Sequence, residues 1–269
     1  MGYKVLALDI DGTLYNDKKE ITPRVKKAIQ AAQERGTIIV LSSGRPKPGM
    51  VKAVQELDLE NTGGYVLTCN GGQVSHCKTG ETVFEKAISS DCIKEIYNFA
   101  KLYGLPLMTH EGNCVVTEYD LDPYIRFEAA VNGIPVRKID NFKEYIKFPV
   151  IKCIATGDGD LLGKLEPIAQ AQLGDRLSIF RSESFFLEFM AGEVTKAYGL
   201  KKLLEHLGLS VSQLVACGDS FNDISMISYA GLGVAMANAN GQVQAAADYV
   251  TLSNEEDGVA HVIEKFFLK

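Results

Sequence analysis

The sequence predicts an α/β protein in which a parallel-sheet core is interrupted by an inserted α+β domain. Residues 1–82 alternate apolar, strand-like runs with helical segments, which is the pattern of a parallel sheet with crossover helices. Residues 190–269 resume the same alternation. Residues 83–189 instead contain short strand-like runs separated by little connecting chain, which is typical of a mainly antiparallel sheet. We therefore predict a core formed by 1–82 plus 190–269 and an insert formed by 83–189.

Three strands in the first third each end in a polar or glycine-rich tip. Thr22 and Pro23 are suited to cap and begin a helix, which Gly36 ends before the second strand. A further helix precedes the third strand. Ligands of open α/β sheets bind outside the carboxyl ends of the strands, so these tips are the predicted site. The three strands are predicted at 4–8, 37–41 and 65–69.

The rest of the chain continues these two patterns. In the insert we predict helices at 92–103, 123–131 and 161–173, with strands at 105–109, 114–117, 150–155, 177–180 and 185–189. In the last third we predict a helix at 195–206, a strand at 214–217, a helix at 222–229, a strand at 231–234 and a closing helix from about residue 255.

The composition argues against several functional classes. With 269 residues, of which 46% are hydrophobic, the chain can bury a substantial core. A formal net charge of −6 argues against non-specific nucleic-acid binding, which requires a basic surface. We find no apolar run of about 18 residues and no N-terminal signal pattern, so we expect a cytoplasmic protein without a membrane span. The six cysteines form no Cys-x-x-Cys pair, which favours reduced thiols.

Two carboxylates stand at the end of the first strand. Asp9 and Asp11 are two residues apart and point to the same side if the chain stays extended. Two acids so close repel unless a divalent cation lies between them or one of them holds a proton. An ordinary turn is one alternative. A calcium-binding loop is another, with Glu20 at its twelfth position, but Leu14 stands where that loop requires glycine.

A second acidic tip follows the strand at 214–217. Asp219, Asn222 and Asp223 lie there, at the start of a predicted helix. Helix capping is the alternative, because Asp219, Ser220 and Asn222 are all good N-cap residues. Two acidic tips in one parallel sheet can nevertheless meet at the same edge, where they offer the oxygen ligands that Mg²⁺ prefers.

Two further segments offer groups that bind anions. Ser43 and Gly44 supply a hydroxyl and exposed backbone N–H groups at the tip of the second strand, where a Ser-Gly turn is the alternative. Lys196 lies at the start of a predicted helix, where a positive charge is unfavourable by about 0.3–1 kcal/mol unless an anion compensates it. An ordinary solvated lysine is the alternative, but this placement favours an anion nearby.

The order of these motifs is specific. Asp9-x-Asp11-Gly12-Thr13-Leu14 is followed by Ser43-Gly44-Arg45, then Lys196, then Gly218-Asp219-x-x-Asn222-Asp223. In this order the chain resembles the haloacid dehalogenase superfamily of phosphohydrolases, and its long insert resembles that of the Cof-type, type IIB subfamily, in which Asn70-Gly71-Gly72 is also common. The resemblance implies a Rossmann-like core, with the insert acting as a cap that closes over the substrate.

The resemblance also implies a role for each motif residue. Asp9 is the nucleophile that forms an aspartyl-phosphate, and Asp11 is the acid that protonates the leaving group and then activates water. Mg²⁺ is bound by the Asp9 carboxylate, the Asp11 carbonyl and the Asp219 carboxylate, with Asp223 behind them. The groups that surround the phosphoryl oxygens are Ser43, Lys196 and Asn222, with the backbone amides near Ile10 and Gly44.

The predicted function is Mg²⁺-dependent hydrolysis of a small phosphate ester, with a sugar phosphate as the first candidate. Phosphoryl transfer between two sugar positions, as in phosphomannomutase-like relatives, is one alternative. A regulatory module that binds phosphate or metal without turnover is another, although Asp11 is an acid that only turnover needs. We predict neither nucleic acid nor a membrane as a partner, and the oligomeric state stays open.

Overall fold

The computed structural model of the chain describes residues 2–268. The strands of this part of the chain are β1 (Val5–Asp9), β2 (Ile38–Ser42), β3 (Tyr65–Thr68), β4 (Gln73–His76), β5 (Thr82–Glu85), β6 (Leu107–Glu111), β7 (Cys114–Thr117), β8 (Val136–Lys138), β9 (Lys152–Thr156), β10 (Leu177–Glu183), β11 (Phe186–Ala191), β12 (Leu214–Gly218), β13 (Leu232–Ala235) and β14 (Tyr249–Val250).

The α-helices of the same residues alternate with these strands. They are α1 (Pro23–Glu34), α2 (Val51–Glu56), α3 (Leu59–Thr62), α4 (Ser90–Leu102), α5 (Pro123–Asn132), α6 (Phe142–Tyr145), α7 (Gly159–Leu173), α8 (Lys196–Leu207), α9 (Ile224–Tyr229), α10 (Gly241–Ala245) and α11 (Gly258–Phe266). None of the helices within residues 2–268 is both long enough and apolar enough to cross a membrane.

The chain divides into two compact units. Unit 1 comprises Met1–Phe84 with Thr195–Lys269, and unit 2 comprises Glu85–Val194. The interpretation of unit 2 as a cap stays a prediction.

The sheet of unit 1 brings the predicted strand tips to one edge. Its strand order is β14-β13-β12-β1-β2-β3-β4-β5, and the strands from β14 to β3 are parallel. Leu8 of β1 is in register with Cys217 of β12, and Asp9 is in register with Ser42 of β2. The carboxyl ends of β1, β2 and β12 therefore lie side by side, as the α/β prediction requires.

Both faces of this sheet are buried. Leu6 and Leu8 lie in an apolar cluster with Ile29 of α1 and with residues of α11. Val5 and Ala7 lie in a second apolar cluster with residues of α8. Because successive residues of a strand point to opposite faces, a continuous apolar run such as β1 fits only a sheet that is covered on both sides.

Several boundaries in unit 1 differ from the prediction. The closing helix α11 begins at Gly258 rather than near residue 255, because Asn254–Glu256 form a 3-10 turn and Asp257 adopts a φ of +59°. A 3-10 turn over Phe221–Asp223 likewise precedes α9. The antiparallel strand β4 and its neighbour β5 were not predicted, since each has four residues and lacks a clear alternation of apolar and polar side chains.

Unit 2 is built on a six-stranded sheet in the order β10-β11-β9-β6-β7-β8. Its strand pairs are antiparallel except for β7 with β8. Helices α4 and α7 contribute to an apolar cluster on one face of the sheet, and α5 contributes Ile125 and Ala129 to a cluster on the other. The predicted α+β character of the insert matches this arrangement, although the three-residue strand β8 was not predicted.

Candidate active site

Three carboxylates converge at the tips of β1 and β12. Asp9 is the last residue of β1, Asp219 follows β12, and Asp223 ends the 3-10 turn after it. One carboxylate oxygen from each lies within 4.8 Å of the others. Asp9 and Asp223 are 6% and 0% exposed, so this negative charge is largely removed from bulk water. Burial makes mutual repulsion among these acids stronger than it would be at the surface.

Lys196 provides positive charge to this cluster. It is the first residue of α8, and the preceding Thr195 caps the helix. Lys196 Nζ donates hydrogen bonds to Asp9 Oδ1 at 2.5 Å, to Asp223 Oδ1 at 2.6 Å and to the carbonyl of Ser42 at 3.3 Å. The two aspartates are thus the anions that offset a lysine at a helix N-terminus.

The pKa shifts of these groups follow from burial and crowding. Burial, and then the charge of Asp223, raises the pKa of Asp9 well above its usual range, despite the opposing charge of Lys196. Burial acts against the charged form of Lys196, but the charges of Asp223 and Asp9 outweigh burial and raise the pKa of its ammonium group. Burial also raises the pKa of Asp219, against a hydrogen bond from Thr13. One ammonium group therefore faces three acids.

Local backbone geometry fixes Asp223 beneath the tip of β12. Asp223 Oδ2 accepts hydrogen bonds from the backbone N–H groups of Asp219 and Ser220, at 3.0 and 2.9 Å. A Cβ atom on Gly218 would lie 2.4 Å from the Asp223 Cβ, so only glycine fits there. Asp223 thereby shapes the loop that presents Asp219 while its other oxygen binds Lys196.

Asp11 lies outside the cluster of three carboxylates. Its carboxylate accepts hydrogen bonds from Lys19 Nζ at 2.9 Å and from Arg45 Nε and Nη2 at 3.0 Å each. Partial burial acts to raise the pKa of Asp11, but the hydrogen bond from Lys19 and the charge of Arg45 outweigh it and lower the pKa. Asp11 is therefore held here as an ion, and the proton that its predicted role requires is not favoured by these contacts.

The predicted anion-binding residues occupy neighbouring tips. Ser43 is buried directly after β2, and its Oγ accepts a hydrogen bond from the backbone N–H of Arg45 at 3.2 Å. Asn222 Nδ2 donates to Asn70 Oδ1 at 3.0 Å. The side chain of Ile10 is buried in the core, so only its backbone can contribute to a site.

Several residues at the site were missed in the sequence. Thr13 Oγ1 donates to Asp219 Oδ1 at 2.7 Å, and Asn238 Nδ2 donates to the carbonyl of Gly12 at 2.9 Å. Thr13 could have been identified from the sequence, because it has a hydroxyl group and lies two residues after Asp11 at an acidic strand tip. No local signal marks Asn238 or Lys19, because their contacts depend on how distant loops fold.

Comparison with known proteins decides the family of this chain. A family model described as haloacid dehalogenase-like hydrolase matches residues 6–263. The chain belongs to this family. It is 34% identical over 269 residues to the protein YxeH of Bacillus subtilis (strain 168), and the match covers 99% of each protein. YxeH is named as a proposed phosphatase. The resemblance predicted from the order of the motifs is therefore confirmed.

Solved structures of this family have the same fold. A haloacid dehalogenase-like hydrolase from Bacteroides thetaiotaomicron is 41% identical with a TM-score of 0.92, covering 98% of this chain and 100% of that chain. A structure described as the HAD subclass IIB sugar phosphatase BT4131 is 27% identical with a TM-score of 0.81, covering 98% of each chain. The α/β fold and the enzyme class, a haloacid dehalogenase-type phosphatase, follow from these matches.

Proposed function

We propose that this chain is a Mg²⁺-dependent phosphatase that hydrolyses a small phosphorylated metabolite through an aspartyl-phosphate on Asp9. The observation that carries the proposal is the position of Asp9, buried at a strand tip beside Lys196 and the carboxylates of Asp219 and Asp223. A buried carboxylate held by one oxygen on a lysine keeps its other oxygen available as a nucleophile.

The donor set of the acidic cluster fits Mg²⁺. Carboxylate oxygens within 4.8 Å of one another are hard ligands, and the single ammonium of Lys196 does not balance three acids. We expect the carboxylates of Asp9 and Asp219 and the carbonyl of Asp11 to hold the ion, with Asp223 behind them. When bound, the ion supplies positive charge that favours the ionised form of Asp9 and reduces its repulsion from a phosphate.

In the proposed reaction, an oxygen of Asp9 forms a bond to phosphorus as the ester P–O bond breaks. The electron pair of that bond stays with the leaving alcohol oxygen, which takes a proton from Asp11. A water molecule then attacks phosphorus, gives a proton to Asp11 and releases phosphate from Asp9. Ser43, Lys196 and Asn222 donate hydrogen bonds to the phosphoryl oxygens, where charge accumulates during both steps.

The proposed role of Asp11 requires a change in its contacts. Lys19 and Arg45 bind its carboxylate in this structure, so these contacts must break for Asp11 to carry a proton to the leaving oxygen. A fixed ion pair would leave Asp11 a poor acid. The likeness to a sugar phosphatase supports a sugar phosphate as the first substrate to test. Selection of the leaving group by unit 2 and a cytoplasmic location stay predictions.

The test is phosphate release from a panel of sugar, nucleotide and cofactor phosphates, measured with Mg²⁺ and with EDTA. We expect EDTA and Asp9→Asn each to abolish release, while Asp91→Asn, the same change on an exposed side chain, leaves it intact. An Asp9→Asn protein that keeps substantial activity would contradict the mechanism. An isomerised sugar phosphate in place of free phosphate would instead identify a phosphomutase.

A further inference from the structure

The chain after β3 adopts an unusual backbone conformation. Cys69, Asn70 and Gly71 have consecutive φ angles of +48°, +50° and +97°. For residues other than glycine this left-handed conformation costs about 1–2 kcal/mol each, with asparagine the most tolerant. Such strain persists only where the surrounding structure holds it, and it concentrates at functional sites.

Contacts with two other parts of unit 1 hold this tip in place. The backbone N–H groups of Cys69 and Asn70 donate to the carbonyls of Arg45 and Ser43, at 2.9 and 3.0 Å. Gly71 lies so close to the start of α8 that a Cβ atom would be 2.1 Å from the carbonyl oxygen of Thr195. The tip of β3 is therefore wedged between the tip of β2 and the helix start that positions Lys196.

The side chain of Asn70 continues this arrangement. It is 5% exposed, and its Oδ1 accepts the hydrogen bond from Asn222 Nδ2 at 3.0 Å. A Cβ atom on Gly44 would lie 3.2 and 3.3 Å from the two amide atoms of Asn70, so this amide also lies against Gly44. Asn222 itself is exposed, and its amide is bound by this hydrogen bond to Asn70.

The chemistry of an amide pair gives this contact a direction. Asn70 Oδ1 can only accept, so it selects the NH₂ end of the Asn222 amide rather than its oxygen. The NH₂ group has two hydrogens, and one of them goes to Asn70. The second hydrogen is then available for a phosphoryl oxygen, and the Asn222 side chain has less rotational freedom to lose when that oxygen arrives.

We infer that Asn70 is a positioning residue of the phosphoryl site, which acts through Asn222 to aim an N–H donor at the substrate. This inference rests on the proposed function, in which Asn222 binds the phosphoryl group. The competing explanation is that asparagine occurs at position 70 only because it tolerates a φ of +50°. Glycine tolerates this backbone at least as well but cannot accept a hydrogen bond from Asn222, so Asn70→Gly separates the two explanations.

The test compares Asn70→Gly, Asn222→Ala and the double variant by kcat/KM with Mg²⁺ and by inhibition with inorganic phosphate. We expect Asn70→Gly to lower kcat/KM and weaken phosphate inhibition, each by about tenfold, with an unchanged or higher melting temperature. In the Asn222→Ala background, Asn70→Gly should cause no further change in kcat/KM or in phosphate inhibition. Cys69→Gly makes the same backbone change one residue earlier without touching the amide pair, and it should keep kcat/KM within about twofold.

Three outcomes would overturn the inference. If Asn70→Gly has wild-type kinetics, asparagine occurs at position 70 only because it tolerates the left-handed backbone conformation. A tenfold loss that persists in the Asn222→Ala background would show that Asn70 does not act through Asn222. An Asn222→Ala enzyme with wild-type kinetics would remove Asn222 from the site, and the inference with it, while an inactive Asp9→Asn enzyme would leave the proposed phosphatase standing.

Discussion

Lys196 in unit 1 and Lys152 in unit 2 are both buried, with 1% and 4% of their surfaces exposed, but their surroundings differ. Lys196 contacts two carboxylates, and the third acid of the cluster, Asp219, is close by. Lys152 contacts the carboxylate of Glu188, on the neighbouring strand β11, at 2.9 Å. The difference lies in the balance of charge around each ammonium group.

Two acids lie near Lys152, Glu188 and Glu128, and both have polar partners within unit 2. Glu188 Oε1 also accepts a hydrogen bond from Ser182 at 2.8 Å, and nearby Glu128 has its own partner in His110, 3.1 Å away. Around Lys196 three carboxylates face one ammonium group. Their excess negative charge is buried without compensation, and such charge is strongly destabilising. We conclude that the lysine of unit 2 belongs to a structural pair, whereas the excess of acids around the lysine of unit 1 supports the proposal that this site receives a metal ion and a phosphate.

Replacing each lysine by methionine should give the largest contrast. Lys196→Met removes a proposed donor to the phosphoryl group, and we expect kcat/KM to fall by about 10²–10³. Lys152→Met leaves Glu188 buried without its cation, and we expect the free energy of unfolding to fall by about 3–5 kcal/mol. Kinetics and urea unfolding of both variants check these values. If folded Lys152→Met loses as much activity as Lys196→Met, the distinction between the two lysines is wrong.

Magnesium should stabilise the acidic cluster and leave the pair in unit 2 unaffected. At about 100 times its dissociation constant, a ligand that binds only the folded state adds about 2.7 kcal/mol to the free energy of unfolding. We expect Asp219→Asn to lose most of this gain, because it removes a proposed ligand. Glu188→Gln is the control, since it weakens a buried pair elsewhere and should keep the full gain. Urea unfolding with Mg²⁺ and with EDTA measures both, and an equal gain in Asp219→Asn would exclude Asp219 as a ligand.

The parts of the site that lie on strand tips could be predicted from the sequence. Asp9, Ser43 and Asp219 each follow an apolar run directly, and the tips of parallel strands share one edge of a sheet. Lys196 was recognisable because a lysine at a helix start requires an anion. These inferences use only local pattern and the geometry of parallel strands.

The contacts that depend on loops and register could not be predicted. Asp11 accepts a hydrogen bond from Lys19, which lies in a loop and adopts a φ of +58°. No residue type in that segment predicts this backbone conformation. Lys152 meets Glu188 only because β9 and β11 pair in one register. Both strands are buried along their whole length, so no contrast between a buried and an exposed face predicts that register from the sequence. The left-handed tip at Asn70 follows from packing on α8, which is remote in the chain.

Thr13 should affect the metal site more weakly than Asp219 does. Its hydroxyl donates to Asp219 Oδ1 at 2.7 Å and is buried, so Thr13→Val removes the hydrogen bond with little change in shape. We expect the Mg²⁺ concentration for half-maximal activity to rise about tenfold, because partners that orient a ligand typically change affinity by 10–100-fold. At saturating Mg²⁺, kcat should stay within about threefold. A large fall in kcat at saturating Mg²⁺ would instead place Thr13 in the chemical step.

The smallest expected effect is a pH dependence in unit 2. Burial raises the pKa of Glu128, but the neighbouring His110 ring and the charge of Lys152 outweigh it, so the pKa of Glu128 is lowered from 4.5. A carboxyl group with a lowered pKa in the folded state stabilises the fold above its unfolded pKa, and this stability is lost as the pH falls through the folded value. Glu128→Gln should therefore lose less stability than the wild type between neutral pH and pH values below 4.5, where the wild-type group takes up its proton.

Urea unfolding across this range measures the difference, with Glu60→Gln as a control on an exposed side chain. Identical pH profiles for the wild type and Glu128→Gln would mean that the contacts of Glu128 do not favour its ionised form, and the contrast with the crowded acids around Lys196 would then fail.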